Sequence, residues 1–481
     1  MRILFVVSEL APWVRTGGLG EVATTLPAAL RALGVDVRVL VPGYRSLLDA
    51  LPRACAVADF ADLGGMLPRA VLRAAATPAG IPLFTVDCPQ LYARPGGPYQ
   101  DEHGVDWRDN HLRFGLLSRV AAAIAGGAGE LGWRPAIVHC HDWQAGLAPA
   151  YLHCYAPHAA RTVCSIHNIA YQGLFPPQTL QELGLPAQAF AIDGIEYYGK
   201  LSFLKAGIQY ADRLTTVSPT YAREIQTAEF GCGLDGLLRS RAGVLCGILN
   251  GIDTRIWDPA TDVHLAQRYD GSCIESKVAN KSALQQRMQL PITDDMPLVG
   301  VVSRLTRQKG LDLLLDVAEE VIERPAQIVV LGTGEETLAA KFMALAGAHR
   351  RRCAAVVGFD EPLAHLIEAG ADIFVMPSRY EPCGLNQMYS LRYGTPPVVR
   401  ATGGLADTVV DCSERTVRDG TANGFVFREP TPAALIEALN RAVAAWRDRA
   451  AWRKLRHNGM RMDFGWDASA LRYRDLYRSL V

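Results

Sequence analysis

No stretch of this 481-residue chain approaches a membrane span, and the opening MRILFVVSEL has only five consecutive apolar residues before Ser8 and Glu9, too few for a signal-peptide core. Net charge is lacking as well. The 49 Lys plus Arg balance 49 Asp plus Glu, so overall charge draws the chain neither to nucleic acid nor to an anionic membrane surface. Any anionic ligand must be held by local charge. The 11 cysteines contain no C-x-x-C pair and no zinc-like spacing, so neither a disulfide framework nor a metal site is expected, and a reducing cytoplasm is the expected compartment. Asp-x-Asp is absent, which weakens any reading in which a metal carries a nucleotide diphosphate.

What is present is a globular composition, 49% apolar and 20% charged, in a chain long enough for two or three domains. Short apolar runs alternate with segments of helical period: RILFVV, VDVRVLV, AIVHC, TVCSIH and RLTTVS, then VLCGIL, LVGVVS, QIVVLG, AAVVG, DIFVMP and PPVVR. Continuous apolar strands separated by helices predict parallel sheets covered on both faces, hence an α/β protein of two Rossmann-like doubly wound domains facing a cleft. The Gly, Asn, Asp and Pro cluster in GILNGIDTRIWDP marks the joint. The expected division is 1–248, 249–462 and a C-terminal helix 463–481, capped by Asp467 and packing back on the first domain.

Five strand ends carry polar clusters. RTGGLGEV follows the first strand and opens a helix, and Thr-Gly-Gly-Leu recurs in ATGGLADTV near residue 402. Gly17 and Gly18 can take positive φ and leave room for an anion at a helix N-terminus, or simply make a tight turn. VVSRLTRQKG sets Arg304 and Lys309 between a strand and a helix, where a fork and a point charge can meet a diphosphate or remain solvated. MPSRYEPCGLNQ sets Glu381 in a loop before Gly384 and a helix start. VHCHDWQAG and SIHNIAYQG supply His139, His141, Asp142 and His167; His139 and His141 point to one side of a continuing strand and could pair on a metal, but the preferred reading is a cleft lining by Asp142 and His167. Gly332 and Gly334 lack the third glycine of a dinucleotide fingerprint.

Together these segments, with SFLKAG, ADRLTTVSPTYAREI, LNGID and PSRYEPCGLNQMYSLRYGT, resemble nearly end to end the bacterial glycogen synthase and plant starch synthase family, retaining glycosyltransferases of GT-B fold that use ADP-glucose. The resemblance implies Arg304 and Lys309 at the sugar-nucleotide diphosphate and Glu381 at the donor glucose, with Asp142 and His167 in the reacting group. It implies substrate contacts from Arg15, Gly17, Gly18, Glu21, Asn168, Asn250, Phe359, Cys383, Gly384, Leu385 and Asn386. Phe359 stands where the family has tyrosine; Arg15 and Glu21 replace its lysine and aspartate. The expected partners are ADP-glucose and glycogen or another α-1,4-glucan, with no cofactor and no metal. A related glucosyltransferase with UDP-glucose or a non-glucan acceptor, and a nucleotide-sugar binding or regulatory protein that closes without reacting, are the other readings.

Overall fold

The computed structural model describes residues 1–481, and the chain forms two compact units, Met1–Gly251 with Trp466–Val481, and Ile252–Gly465. The first contains β1 (Arg2–Val6), β2 (Asp36–Pro42), β3 (Cys55–Phe60), β4 (Ala70–Ala76), β5 (Pro82–Asp87), β6 (Ile137–His141), β7 (Arg161–Ile166), β8 (Leu174–Phe175), β9 (Glu196–Tyr197), β10 (Lys200–Ser202), β11 (Arg213–Thr216) and β12 (Leu245–Gly247). Nine of these form one sheet in the order β12-β11-β7-β6-β1-β2-β5-β4-β3, and β8, β10 and β9 form a small antiparallel sheet. From β12 to β5 the large sheet is parallel, and it is built from runs such as Ile3–Val7 with no exposed surface. Helices on both faces impose that continuous apolarity.

The expectation of a wholly parallel sheet fails at one edge, where β4 runs antiparallel to both β3 and β5. β3 is mostly exposed and β4 is alanine-rich, so neither shows the apolar run that marked the buried strands. Pro27 lies inside the helix Gly18–Ala32 without ending it. The final helix spans Trp466–Arg478, so Asp467 is a first-turn acid and not the cap expected from sequence. Tyr473 and Tyr477 are buried, and the Tyr477 hydroxyl lies 2.7 Å from His139 Nδ1, which fixes this helix to the first unit.

The second unit holds β13 (Leu298–Val302), β14 (Gln327–Gly332), β15 (Cys353–Val357), β16 (Ile373–Met376), β17 (Pro397–Arg400) and β18 (Phe425–Phe427). They form a fully parallel sheet in the order β15-β14-β13-β16-β17-β18. Its core joins Val299, Ile328 and Val375 to Leu314, Leu439 and Trp446 from the covering helices. Strand order reverses between β1 and β6 in the first unit and between β13 and β16 in the second. Such switch points open a crevice beyond the carboxyl ends of parallel strands. No helix is long and apolar enough to cross a membrane.

Candidate active site

The polar strand ends named from sequence fall at these two switch points, except that His167 follows β7, the next strand beyond β6. In the second unit, Arg304 and Lys309 follow β13, and Glu381 follows β16. Lys309 Nζ lies 2.5 Å from Glu381 Oε2, the same oxygen that accepts from Ser378 Oγ at 3.0 Å. Glu381 is 5% exposed, whereas Arg304 is exposed, with no hydrogen bond or ion pair to its guanidinium. The two loops are laced together, since Arg379 N–H donates to Gln308 O at 2.8 Å and the Arg379 guanidinium spans Arg307 O and the Asp312 carboxylate. Gly310 has φ +65° and lies so near Pro377 that a Cβ would overlap its carbonyl oxygen. That close approach is what brings Lys309 to Glu381.

Cys383 is buried, and Gly384 takes φ +71° before the short helix Asn386–Arg392. Gln387 secures this turn by donating to the carbonyls of Cys383 and Gly384, at 3.1 and 3.0 Å. Leu385 is the residue before the helix, and Asn386 Nδ2 donates to Val302 O at 2.6 Å, tying the helix start to the end of β13. Phe359, two residues beyond β15, presents its ring at 78% exposure. The second Thr-Gly-Gly-Leu opens the helix Gly403–Thr408, where Cβ atoms on Gly403 and Gly404 would overlap the carbonyls of Glu381 and Cys383. These glycines let a helix press against the Glu381 loop.

In the first unit, the glycine pair differs from expectation, because neither residue takes positive φ. Gly17 is extended, with φ −154°, and Gly18 begins the helix. A Cβ on Gly17 meets no protein atom within 4 Å. Its N–H donates to Glu9 Oε2 at 3.3 Å, so that donor is already engaged. No side chain caps the first turn that follows. The departures from the family pattern meet each other: Arg15 Nη2 lies 2.6 Å from Glu21 Oε1. The longer Arg and Glu thus form one pair at the edge of the loop.

At the end of β6, Asp142 takes φ +57° and ψ −170°, a conformation rare outside glycine and costing about 1–3 kcal/mol. Its Oδ1 accepts from the backbone N–H groups of His167 and Asn168, at 2.7 and 3.3 Å. Burial pushes the Asp142 carboxyl up to about 7 despite these bonds and lowers His167 to about 4. His141 Nδ1 sits 2.9 Å from His167 Nε2. His139 spends both ring nitrogens on Tyr477 and Ser165. Asn250 is buried with its Oδ1 unpartnered. Sequence reading passed over Glu9, Tyr99 and Ser378, and named His141 only as half of a metal pair. Glu9 and Ser378 lie just beyond strands, where a search of strand ends finds them; Tyr99 lies in a long loop with no local signal.

The Asp142 carboxyl supplies a test by pH. Its folded value is raised, so the folded chain holds this proton more tightly, and stability falls as pH rises from about 4 to about 7. Asp142→Asn mimics the neutral acid. Its thermal midpoint should exceed that of the native sequence above pH 7, with the gap closing near pH 4; a gap independent of pH contradicts the shift.

Two largely parallel α/β units with polar residues at the carboxyl edges of their sheets are an architecture that the glycosyltransferases of the GT-B class share, and the comparisons place the chain in that class. A starch synthase catalytic domain matches residues 2–240 and a group 1 glycosyl transferase domain matches residues 283–457. Glycogen synthase from Aromatoleum aromaticum is 55% identical over 477 residues, 99% of this chain and 96% of that protein. That from Dechloromonas aromatica is 55% identical over 481 residues, covering 100% and 99%. Among solved structures, the catalytic domain of starch synthase IV from Arabidopsis thaliana, bound to ADP and acarbose, matches with TM-score 0.89 and 32% identity over 100% of this chain and 99% of that one. The chain belongs to the glycogen synthase and starch synthase family.

Proposed function

We propose that the chain transfers glucose from ADP-glucose to the non-reducing end of an α-1,4-glucan, with retention of configuration, in the cytoplasm and without a cofactor or metal. The observation that carries the reading is the Lys309–Glu381 pair at the second switch point, with the unpaired Arg304 after the same strand as Lys309. As the sugar-phosphate bond breaks, negative charge grows on the diphosphate and positive charge on the sugar ring. Arg304, Lys309 and the helix-start N–H groups of Leu385 and Asn386 stabilise the first; Glu381 orients the sugar and stabilises the second. Phe359 stacks on the adenine, and Cys383 and Gly384 shape the turn under the phosphates. In the first unit, Arg15, with Glu21 as its partner, and the Gly17-Gly18 turn serve the phosphates, while Asp142, His167, Asn168 and Asn250 serve the sugar.

Retention by double displacement needs a second carboxylate as nucleophile. Eight residues beyond Glu381 stands Tyr389, buried and stacked on Trp257 with ring centroids 3.8 Å apart. Front-face attack through a short-lived ion pair, with the leaving phosphate as base, is the mechanism this site supports. The relatives' names and the ADP-bound neighbour support the choice of donor and acceptor. Purified chain incubated with ADP-glucose or UDP-glucose and glycogen should release ADP and lengthen the polymer. Tight donor binding without elongation defeats the proposal, and a preference for UDP-glucose corrects the donor.

A further inference from the structure

Glu9 belongs to none of the roles above, yet it is 3% exposed, just beyond the end of β1. Its Oε2 accepts from Thr16 N at 2.8 Å and Gly17 N at 3.3 Å, and its Oε1 accepts from the Tyr99 hydroxyl at 2.6 Å. The Tyr99 oxygen lies 2.8 Å from Ser8 Oγ, which extends the chain of bonds back to the strand end. Between these anchors, Leu10 and Val14 exchange two backbone hydrogen bonds at 2.9 Å, so residues 10–14 form a closed loop. A Cβ on Gly20 would come within 3.5 Å of Glu9 Oε2, so the helix start also packs on the carboxylate. Thr16, Gly17 and Gly18 are exposed, whereas the group that holds Thr16 and Gly17 is inside.

We propose that Glu9 is a positioning residue for the donor phosphates, acting through Thr16 and Gly17 to fix where the Gly18 end of the helix and the Arg15 side chain stand. The proposal rests on the transferase reading above. A carboxylate beside a phosphate site is costly for anion binding unless its own acceptors are filled, and here three donors fill them. Burial also raises the Glu9 carboxyl above its usual range, with Thr16, Tyr99, Gly17 and Arg15 opposing the shift. A neutral amide therefore suits the position. In Glu9→Gln the amide oxygen can accept from Thr16 and Gly17 while its NH2 donates to the Tyr99 hydroxyl, which turns its own proton to Ser8. Glu9→Asp keeps the charge but is one methylene too short to reach all three donors.

The two variants separate geometry from charge. Glu9→Asp should raise KM for ADP-glucose and weaken ADP binding by about tenfold, with KM for glycogen unchanged; Glu9→Gln should stay within about threefold of the native sequence. Circular dichroism and the thermal midpoint establish that both are folded. The reverse order, or a donor KM unmoved in a folded Glu9→Asp variant, overturns the proposal while leaving the transferase reading intact. A native chain that neither binds ADP nor elongates glucan removes that reading, and this one with it.

Discussion

Lys309→Ala should lower kcat about 100-fold or more in a chain that still folds. Its ammonium contacts Glu381 at 2.5 Å and is the point charge proposed to meet the departing diphosphate. The stability cost is smaller because Glu381 retains the Ser378 hydroxyl and the loop keeps its other ties, the Arg379 bonds to Gln308, Arg307 and Asp312. A loss of about 1–3 kcal/mol is expected, within reach of a two-domain fold. Steady-state kinetics with ADP-glucose and glycogen, beside thermal melting, separate the two quantities. Because Lys309 and Glu381 touch, Glu381→Gln and the double variant should be strongly non-additive. Equal turnover in folded Lys309→Ala refutes the role.

The two Thr-Gly-Gly-Leu segments should respond in opposite ways to alanine. At Gly17 the backbone is extended and a methyl meets no protein atom within 4 Å, so Gly17→Ala should melt within ~0.5 kcal/mol of the native sequence. Its donor KM should nevertheless rise about tenfold or more, because the methyl stands where the phosphates are proposed to lie. At Gly404 a methyl would overlap the carbonyl of Cys383 and crowd its Cα at 2.6 Å, all backbone and unable to rotate away. Gly404→Ala should therefore cost roughly 3 kcal/mol or more and displace the Glu381 to Cys383 turn. If Gly17→Ala melts early with unchanged KM, the first pair is structural like the second, and its proposed part in donor binding fails.

The strand ends were legible because burial on both faces leaves an uninterrupted apolar signature, and the polar residue after such a run must lie at the sheet's carboxyl edge. Arg304, Lys309, Glu381, Asp142 and His167 were all found that way. The antiparallel β3 and β4 were not, since an exposed edge asks little of its side chains and Ala70–Ala76 carries no alternation. Repetition of four residues could not reveal that one pair faces open space and the other a carbonyl wall. Spacing in a single chain also gave no sign that Arg15 and Glu21 pair with each other.

By itself, then, the order of residues determined the alternating α/β layers, the strand ends where chemistry gathers, and the family, because these depend on local periodicity and contiguous motifs. Tertiary structure alone decided that Tyr477 bonds His139, 338 positions away, that Gly310 lies against Pro377 so Lys309 meets Glu381, and that Glu9 holds the glycine turn from inside. The first two join segments distant in the chain, and the third closes a loop that no periodicity marks. Such contacts are selected by how sheets and helices pack, and no local pattern encodes them.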